Sequence, residues 1–489
     1  MSSSLANALS GRQRWQAFAV CVSVAALTIL DLSKVNVALP SIEKSLGAGP
    51  AELQIIVAGY ALAFGLALVP AGRLGDLHSR KAMFVVGLSL FMVSSLACAV
   101  APNIEFLMVA RIVQGIAAGI QMPQVIGLTQ QLFQGEERGR AFGLFGATIG
   151  VSTAFGPTLG GLLIAVGGPT DGWRYIFAMN VPLVIILLPF ALKLLPAKQE
   201  RSPGSRELDL IGILILAVAT FSVMLPFVLT TGGPDDQPAR WYLLILAAIA
   251  AAAFVLWERR YKRIGKSPVV HFDLFRKGSY RNGLLIAMAY FAAMPAMFLL
   301  TTLFLQQGIG LEPVFAGMVS IPFALSSAVT AWYGGTIVNR VGRKLVVIGI
   351  VIVLIGFSLV LLAAELLPAD VAIYGMGVGM LVAGTGGGFV ISPNQTLTLA
   401  EVPVEQGGVA GSMAQLGQRV GTAMGTAAAS AAFYATIYSE TGQAPKLEIF
   451  HDAFRAGFAV TLTLVAVALV LGFLDLGARK RRKRSAQTA

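Results

Sequence analysis

The sequence predicts an all-α integral membrane protein of fourteen spans, built as two six-helix bundles with two extra helices between them. Three observations predict it: a composition 56% hydrophobic and 12% charged, apolar runs that recur at the length of a membrane crossing, and a basic loop motif that occurs twice. Soluble domains run near about 45–50% apolar and about 25% charged. Half that charge leaves too little polar surface to coat a water-exposed globule, so lipid must face the apolar exterior.

A helix needs about 20 apolar residues to cross about 30 Å of hydrocarbon. Six such runs lie near residues 15–39, 51–71, 82–101, 104–126, 141–166 and 173–195. Two more lie near 208–230 and 239–257, and six follow near 281–306, 314–338, 344–365, 370–398, 409–436 and 452–474. The 54 Gly and 22 Pro would break many soluble helices. In membrane spans both are tolerated, because neighbouring helices and trapped water satisfy freed backbone groups. The first run is longer than a signal h-region and lacks a clear cleavage site, so it is expected to be retained. The division expected is an N-terminal bundle over 1–197, the extra pair and a linker over 198–270, a C-terminal bundle over 271–475 and a basic tail over 476–489.

Charge distribution sets the orientation. With the N-terminus and every even-numbered loop inside, the inside segments hold 28 Lys and Arg and the outside loops 5, with Lys34, Arg111 and Arg419 left within spans. Such a bias places both termini in the cytoplasm of a cell-membrane protein. The same bias explains the net charge of +12. The tail from Arg479 to Arg484 directly follows the last span, where it suits anionic lipid headgroups better than nucleic acid. A surface-lying segment is expected around Val269 to Phe275, and Asp209 suits the N-terminus of the seventh span.

Enzyme chemistry finds no footing. Cys21 and Cys98 lie in apolar runs, the three histidines are scattered, and no Walker phosphate loop or catalytic triad can be placed. No metal and no cofactor are expected, and energy must come from ion gradients.

The repeated motif is Gly72-Arg-Leu-Gly-Asp76-Leu-His-Ser79-Arg80-Lys81 after span two and Gly335-Thr-Ile-Val-Asn339-Arg-Val-Gly342-Arg343-Lys344 after span ten, offset by 263 residues throughout. Two parallel six-helix halves are a transporter design, with substrate between them near the midplane. Asp76 and Asn339 are expected just past a helix end, where a short acceptor caps the next helix. The basic residues Arg80 and Arg343 can hold helix carbonyl ends, so this loop could latch two helices in one state and release them in another.

Further motifs extend over nearly the whole chain. Leu30-Asp31 stands with Val35-Asn36-Val37-Ala38-Leu39-Pro40 in span one, and Arg111-Ile-Val-Gln114-Gly115 in span four. Gly156-Pro157-Thr-Leu-Gly160-Gly161 lies in span five, and Trp173-Arg174-Tyr175-Ile-Phe177 with Asn180 and Pro182 opens span six. On these residues the chain resembles the major facilitator superfamily, and within it the fourteen-span drug:proton antiporter subfamily. The resemblance implies the major facilitator fold and secondary active efflux of small molecules against proton entry. It implies a proton-transfer role for Arg111 and an antiporter role for the span-five motif. Lys34 departs from the usual apolar residue in span one, and Leu77 and Ser79 depart in the loop motif. Acids that some multidrug members carry in spans two, ten and thirteen are missing here, which weighs against broad export of polyvalent cations.

Asp31 lies about 16 residues into its span, or roughly 24 Å along a helix rising 1.5 Å per residue. A charged side chain so deep costs about 2.5–3.5 kcal/mol on insertion scales, so it is a functional candidate by default. A carboxylate kept from water can take up and release a proton; packing or a structural ion pair is the competing role. Lys34, one turn on, shares its face. It either tunes the site and receives an acidic or zwitterionic substrate, or merely neutralises Asp31. Arg111 does not deprotonate and can only bias a neighbouring acid or hold water. Gln114 is expected to support it. Gly156, Pro157, Gly160 and Gly161 suit a hinge or close helix packing where the halves meet.

A substrate cavity is expected to draw on Lys34, Asn36, Gln114, Asn180, Gln306 and Gln415, with Met294 and Phe298 as an adaptable apolar wall. The partners expected are a small-molecule substrate, protons and the lipid bilayer, with no nucleic acid, and the protein is expected to act as a monomer. A dedicated exporter of one endogenous metabolite or lipid is the second reading, and a non-transporting membrane receptor a third.

Overall fold

The computed structural model describes residues 9–168, 170–197, 208–230 and 236–487. Among them there is no strand. The first half comprises α1 (Gly11–Leu46), α2 (Pro50–Leu77), α3 (Arg80–Ala99), α4 (Ile104–Leu132), α5 (Gly135–Gly167) and a rod interrupted at Met179 into α6 (Trp173–Ala178) and α7 (Asn180–Leu194). The inserted pair is α8 (Leu210–Val228) and α9 (Leu243–Arg263), followed by the single turn α10 (Asp273–Arg276). The second half comprises α11 (Gly278–Leu303), the short α12 (Pro313–Met318), α13 (Ile321–Val341), α14 (Arg343–Leu366), α15 (Ala369–Thr398), α16 (Gly407–Glu440) and α17 (Lys446–Gln487).

Local chemistry sets several helix ends. Ser10 caps α1, accepting from the Gln13 amide at 3.3 Å while the Gln13 side chain returns to the Ser10 amide at 3.0 Å. Gly47 ends that helix at φ 65°, a left-handed position that favours glycine. Ser79, Asn103 and Asp209 cap α3, α4 and α8 through the Ala82, Phe106 and Gly212 amides. The role expected of Asp209 is thus met at 2.8 Å.

Twelve of these helices are long and apolar enough to cross a membrane, and α5 makes a thirteenth when its two bent parts, Gly135–Thr153 and Phe155–Gly167, are joined. The thirteenth predicted run, 409–436, lies within α16, which falls outside that set. Its sequence explains why: it is rich in Gly, Ala, Ser and Thr, and its buried residues lie against α2, α4, α8, α11 and α17 rather than in a uniformly apolar coat. Small residues let helices approach closely, which suits a central element better than a lipid-facing one.

Each half has its own core. That of the first contains Phe18, Phe64, Phe84, Phe91 and Phe142 and reaches into α16 through Val409, Ala410 and Leu416; that of the second contains Phe304, Phe357, Phe433, Phe454 and Phe458. Large apolar residues such as Ile185, Ile186, Leu214, Ile249, Val329 and Val378 are more than half exposed. An apolar exterior of this extent is what a lipid-facing surface requires. The halves meet mainly along α2 with α16 and along α5 with α13. The inserted pair packs on itself, and α8 also touches α2 and α16, so it flanks that seam.

Two local expectations are corrected. The segment from Val269 to Phe275 lies on the surface only in part: Asp273 is exposed, but Val269, Val270 and Leu274 are buried, and the Val269 and Val270 amides donate to the Glu258 carboxylate at 3.3 Å each. Asp76 and Asn339 do not lie past a helix end; they are the penultimate residue of α2 and a residue within the last turn of α13. Ser79, not Asp76, caps the following helix. The predicted boundary at residue 198 lies outside the described residues.

Candidate functional site

Asp31 projects from α1 into the interior of the first half, where it is fully buried with Lys34, Ser95, Arg111, Gln114 and Asn180. One carboxylate oxygen lies 2.9 Å from Arg111 Nη1. The other accepts from Asn180 Nδ2 at 2.8 Å and lies 3.4 Å from Lys34 Nζ. Lys34 in turn donates to Asn180 Oδ1 at 2.7 Å.

A second ring of contacts fixes the cations. Arg111 Nη1 donates to Gln114 Oε1 at 2.6 Å, and its Nε reaches the Ile56 carbonyl on α2 at 3.3 Å. The guanidinium lies over the Tyr60 ring, 4.2 Å from its centroid, and 5.5 Å from that of Phe177. The Ser95 hydroxyl accepts from Gln114 Nε2 at 2.7 Å and from Asn180 Nδ2 at 3.1 Å. One carboxylate therefore ties together α1, α2, α3, α4 and α7. Burying an ion pair costs desolvation that only good geometry and added hydrogen bonds offset. Both are present, so the cluster is a complete polar network. Its weak point is the charge of Asp31, since every ionic contact in it ends on that carboxylate.

The loop motif builds a second polar site at the end of the bundle where α2 meets α3. Asp76 accepts from the Gly408 and Val409 amides, at 3.0 and 2.9 Å, at the N-terminus of α16 in the opposite half. Helix N-termini favour negative charge. Arg80 holds the same carboxylate at 2.7 Å and donates to the Gly127 carbonyl at 2.9 Å and to the Val404 carbonyl at 2.6 Å. The second copy differs. Asn339 Nδ2 reaches the Gly135 carbonyl across the seam at 3.3 Å, while Arg343 bonds Asn394 and pairs with Asp475 at 2.7 Å within its own half. The two copies are thus asymmetric, with Asn339 standing at the position of Asp76.

Gly72 belongs to the same seam, since a Cβ there would meet Ser412 Oγ and the Gly408 carbonyl. The span-five glycines lie elsewhere. A Cβ on Gly156 would meet the Ser33 side chain at 2.5 Å, one on Gly160 the Lys34 backbone at 3.0 Å, and one on Gly161 nothing within 4 Å. Gly156 and Gly160 thus serve the approach of α5 to α1 inside one half. The glycines of α5 that face the other half are Gly139, Gly143, Gly146 and Gly150, which the motif does not include. Pro157 lies inside α5, and a Cβ added to Gly317 of α12 would lie 3.9 Å from its own.

Among the residues predicted to line a cavity, the cluster gathers Lys34, Gln114 and Asn180 and leaves out the rest. Asn36 is exposed. Met294 is buried in the core of the second half, and Phe298 is half-buried, its ring 5.0 Å from that of Phe323 in an edge contact. Gln306 is half-buried in a π turn, Phe304–Gly308. Gln415 is buried on α16. Ser95 and Tyr60 were not foreseen: a serine or a tyrosine in an apolar run is ordinary, and their partners are 19 and 51 residues away in sequence. Among the described residues no group of His, Cys, Asp and Glu could hold a metal ion.

Comparison with known proteins adds an independent line. The Major Facilitator Superfamily profile matches residues 21–426. A "Probable actinorhodin transporter" of Streptomyces coelicolor is 33% identical over 410 residues, covering 83% of this chain and 70% of the relative. "Multidrug resistance protein Stp" of Mycobacterium tuberculosis is 32% identical over 392 residues, covering 79% and 70%. Among solved structures, the proton:xylose symporter XylE superposes with a TM-score of 0.64 at 15% identity, covering 94% of this chain and 95% of that one.

Proposed function

The chain belongs to the Major Facilitator Superfamily, and from that premise we propose that it is a secondary active exporter, driving efflux of drugs or other amphiphilic small molecules with inward proton movement. It works as a monomer in the cell membrane, both termini cytoplasmic, without nucleic acid, metal or cofactor. Residues 1–197 and 271–475 act as the two moving bodies.

The buried Asp31, held at once by Arg111, Lys34 and Asn180, is the observation that carries proton coupling. Protonating Asp31 removes the charge on which both cations depend. Arg111 then keeps its contacts to Gln114 and the Ile56 carbonyl but loses its hold on α1, so the tie between α1 and α4 weakens. Deprotonation restores it. The Asp76 carboxylate on the N-terminus of α16 is the cytoplasmic latch, closed in this structure. Basic loops at that end support this orientation. Alternation requires the latch to open, and the proton on Asp31 supplies energy to the half that carries both sites.

The relatives named for antibiotic or multidrug export support drug-like cargo. A narrower reading, export of one endogenous compound, is favoured by Lys34 and by the absence of acids in spans ten and thirteen. Reconstitution into liposomes with an imposed pH gradient and a substrate panel tests the proposal. Gradient-driven movement that is lost in Asp31→Asn is expected. Movement indifferent to the gradient and to that substitution would overturn proton antiport.

A further inference from the structure

Arg419 on α16 is a deeply placed cation that meets no acid among the described residues. Among the described residues it makes no hydrogen bond and no ion pair; its guanidinium lies over the Phe64 ring, 4.5 Å from the centroid. It is twelve residues past the start of α16, roughly 18 Å from the latched end at 1.5 Å per residue. That depth is near the middle of the bilayer.

Helix periodicity fixes its direction. Gly408 and Ser412 face Gly72 and Asp76 of α2, whereas Gly417, Gly421 and Gly425 face Leu284, Met288 and Ala292 of α11. Gln415 and Arg419 continue the first stripe, so they point across the seam toward the first half. Phe64 lies on α2, as that direction requires. Two polar atoms on the same two helices lack partners: the Tyr60 hydroxyl of α2, fully buried, and Gln415 Oε1 of α16. A chain of rings joins this point to the acid cluster, from Arg111 over Tyr60 at 4.2 Å, through Tyr60 and Phe64 at 6.2 Å, to Arg419.

The interior is therefore left positive. Lys34, Arg111 and Arg419 stand against Asp31 alone, and Arg419 has no acid on its own helix before Glu440 at the far end. A guanidinium stays protonated and is poorly accommodated in an apolar interior unless an anion pairs with it. Its planar fork matches a carboxylate.

We infer that Arg419 is the recognition point for cargo bearing a carboxylate, so that this exporter selects anionic amphiphiles over cationic ones. The inference rests on the transport reading of the same seam and names its substrate class. The cargo's acidic group takes the place at Arg419 that no residue fills, with its apolar body against Phe64.

The purified full chain in detergent is titrated with anthraquinone-2-carboxylate, its methyl ester and 2-(aminomethyl)anthraquinone. Wild type is expected to bind the carboxylate at least tenfold more tightly than the other two. Arg419→Gln should erase that preference, and Arg419→Lys should keep its sign with a several-fold loss. Equal binding of the three probes by wild type, a preference for the amine, or an Arg419→Gln variant that keeps the preference overturns the inference. The wild-type comparison alone decides should the variant fail to fold. Failure of the transport reading looks different: charge-selective binding with no movement of any compound in proteoliposomes.

Discussion

Lys34 stands one turn beyond Asp31 on α1 and divides its ammonium between that carboxylate at 3.4 Å and the Asn180 amide oxygen at 2.7 Å. The better contact is to the neutral partner. Lys34 is thus more than a counter-ion: it orients Asn180, whose amide then donates to Asp31. Lys34→Met would leave a buried amide oxygen without a donor, at about 1–3 kcal/mol. The expected outcome is a lower unfolding temperature in detergent and a displaced pH profile of transport. An unchanged profile with an unchanged substrate range would reduce Lys34 to a neutralising charge.

Asp31→Asn keeps the shape and the Asn180 contact and removes the charge on which Arg111 and Lys34 converge. One proton crossing 100 mV provides about 2.3 kcal/mol, a concentration ratio of roughly fifty. In proteoliposomes wild type should build a gradient of that order. Asp31→Asn should equilibrate substrate without accumulating it. Accumulation by the variant at the wild-type level would place the coupling elsewhere.

Asp76 answers to two partners of different kind, the α16 amides in the opposite half and Arg80 in its own. Asp76→Asn retains an acceptor but leaves Arg80 buried without its charge partner, a class of change worth about 3–5 kcal/mol. The Arg80 pair lies within one half and is lost in both states, whereas the contacts to the α16 amides exist only in the closed state; a neutral acceptor weakens them there, so the two ends of the halves should separate. Spin labels at the exposed positions 78 and 401 would read this as a longer distance whose population rises at least tenfold. A distribution matching wild type would show that the seam is held by α5 and α13 instead.

Much of this was legible in the sequence, and the limits are physical. Hydropathy finds segments that face lipid, so it marked the helices of the periphery and α14 well. It underrates α16, whose neighbours are protein on several sides. Asp31, Lys34 and Arg111 stood out because ionised groups in apolar runs are costly, and cost is visible residue by residue. Ser95 and Tyr60 did not, because a hydroxyl among apolar residues carries no such signal until its partner is known. The loop motif announced a latch but not its target. Only the fold brings Asp76 to the Gly408 and Val409 amides, 332 and 333 residues away.

The span-five glycines separate in their consequences. A side chain at Gly156 would drive into Ser33 and the Lys34 backbone, one turn from the acid cluster, whereas Gly161 faces open space. Gly156→Leu should abolish transport while membrane insertion persists. Gly161→Ala should transport normally and gain about 0.5–1 kcal/mol, the usual return for replacing a helical glycine. Transport assays beside unfolding curves check both. Equal loss in the two variants would mean that the motif acts through backbone flexibility, not through approach to α1.

The linker after α9 touches the loop motif and holds a titratable histidine near it. Arg73 Nη2 donates to Ser267 Oγ at 2.5 Å, and four residues on His271 is half-buried with its Nε2 enclosed and unpartnered. Burial, with the positive charges of Arg73 on α2 and Lys262 on α9, holds the imidazole below its ordinary range against the opposing Asp273. An unfolded histidine titrates near about 6.5, so as pH falls below that value the unfolded chain takes up a proton that the folded chain resists. The contribution of His271 is therefore complete above about pH 6.5 and is lost as pH falls through the folded value. His271→Gln should flatten that slope: between about pH 7.5 and pH 5, bracketing the unfolded histidine, the unfolding temperature of wild type should drop further than that of the variant. Parallel curves would show that the linker is indifferent to this proton.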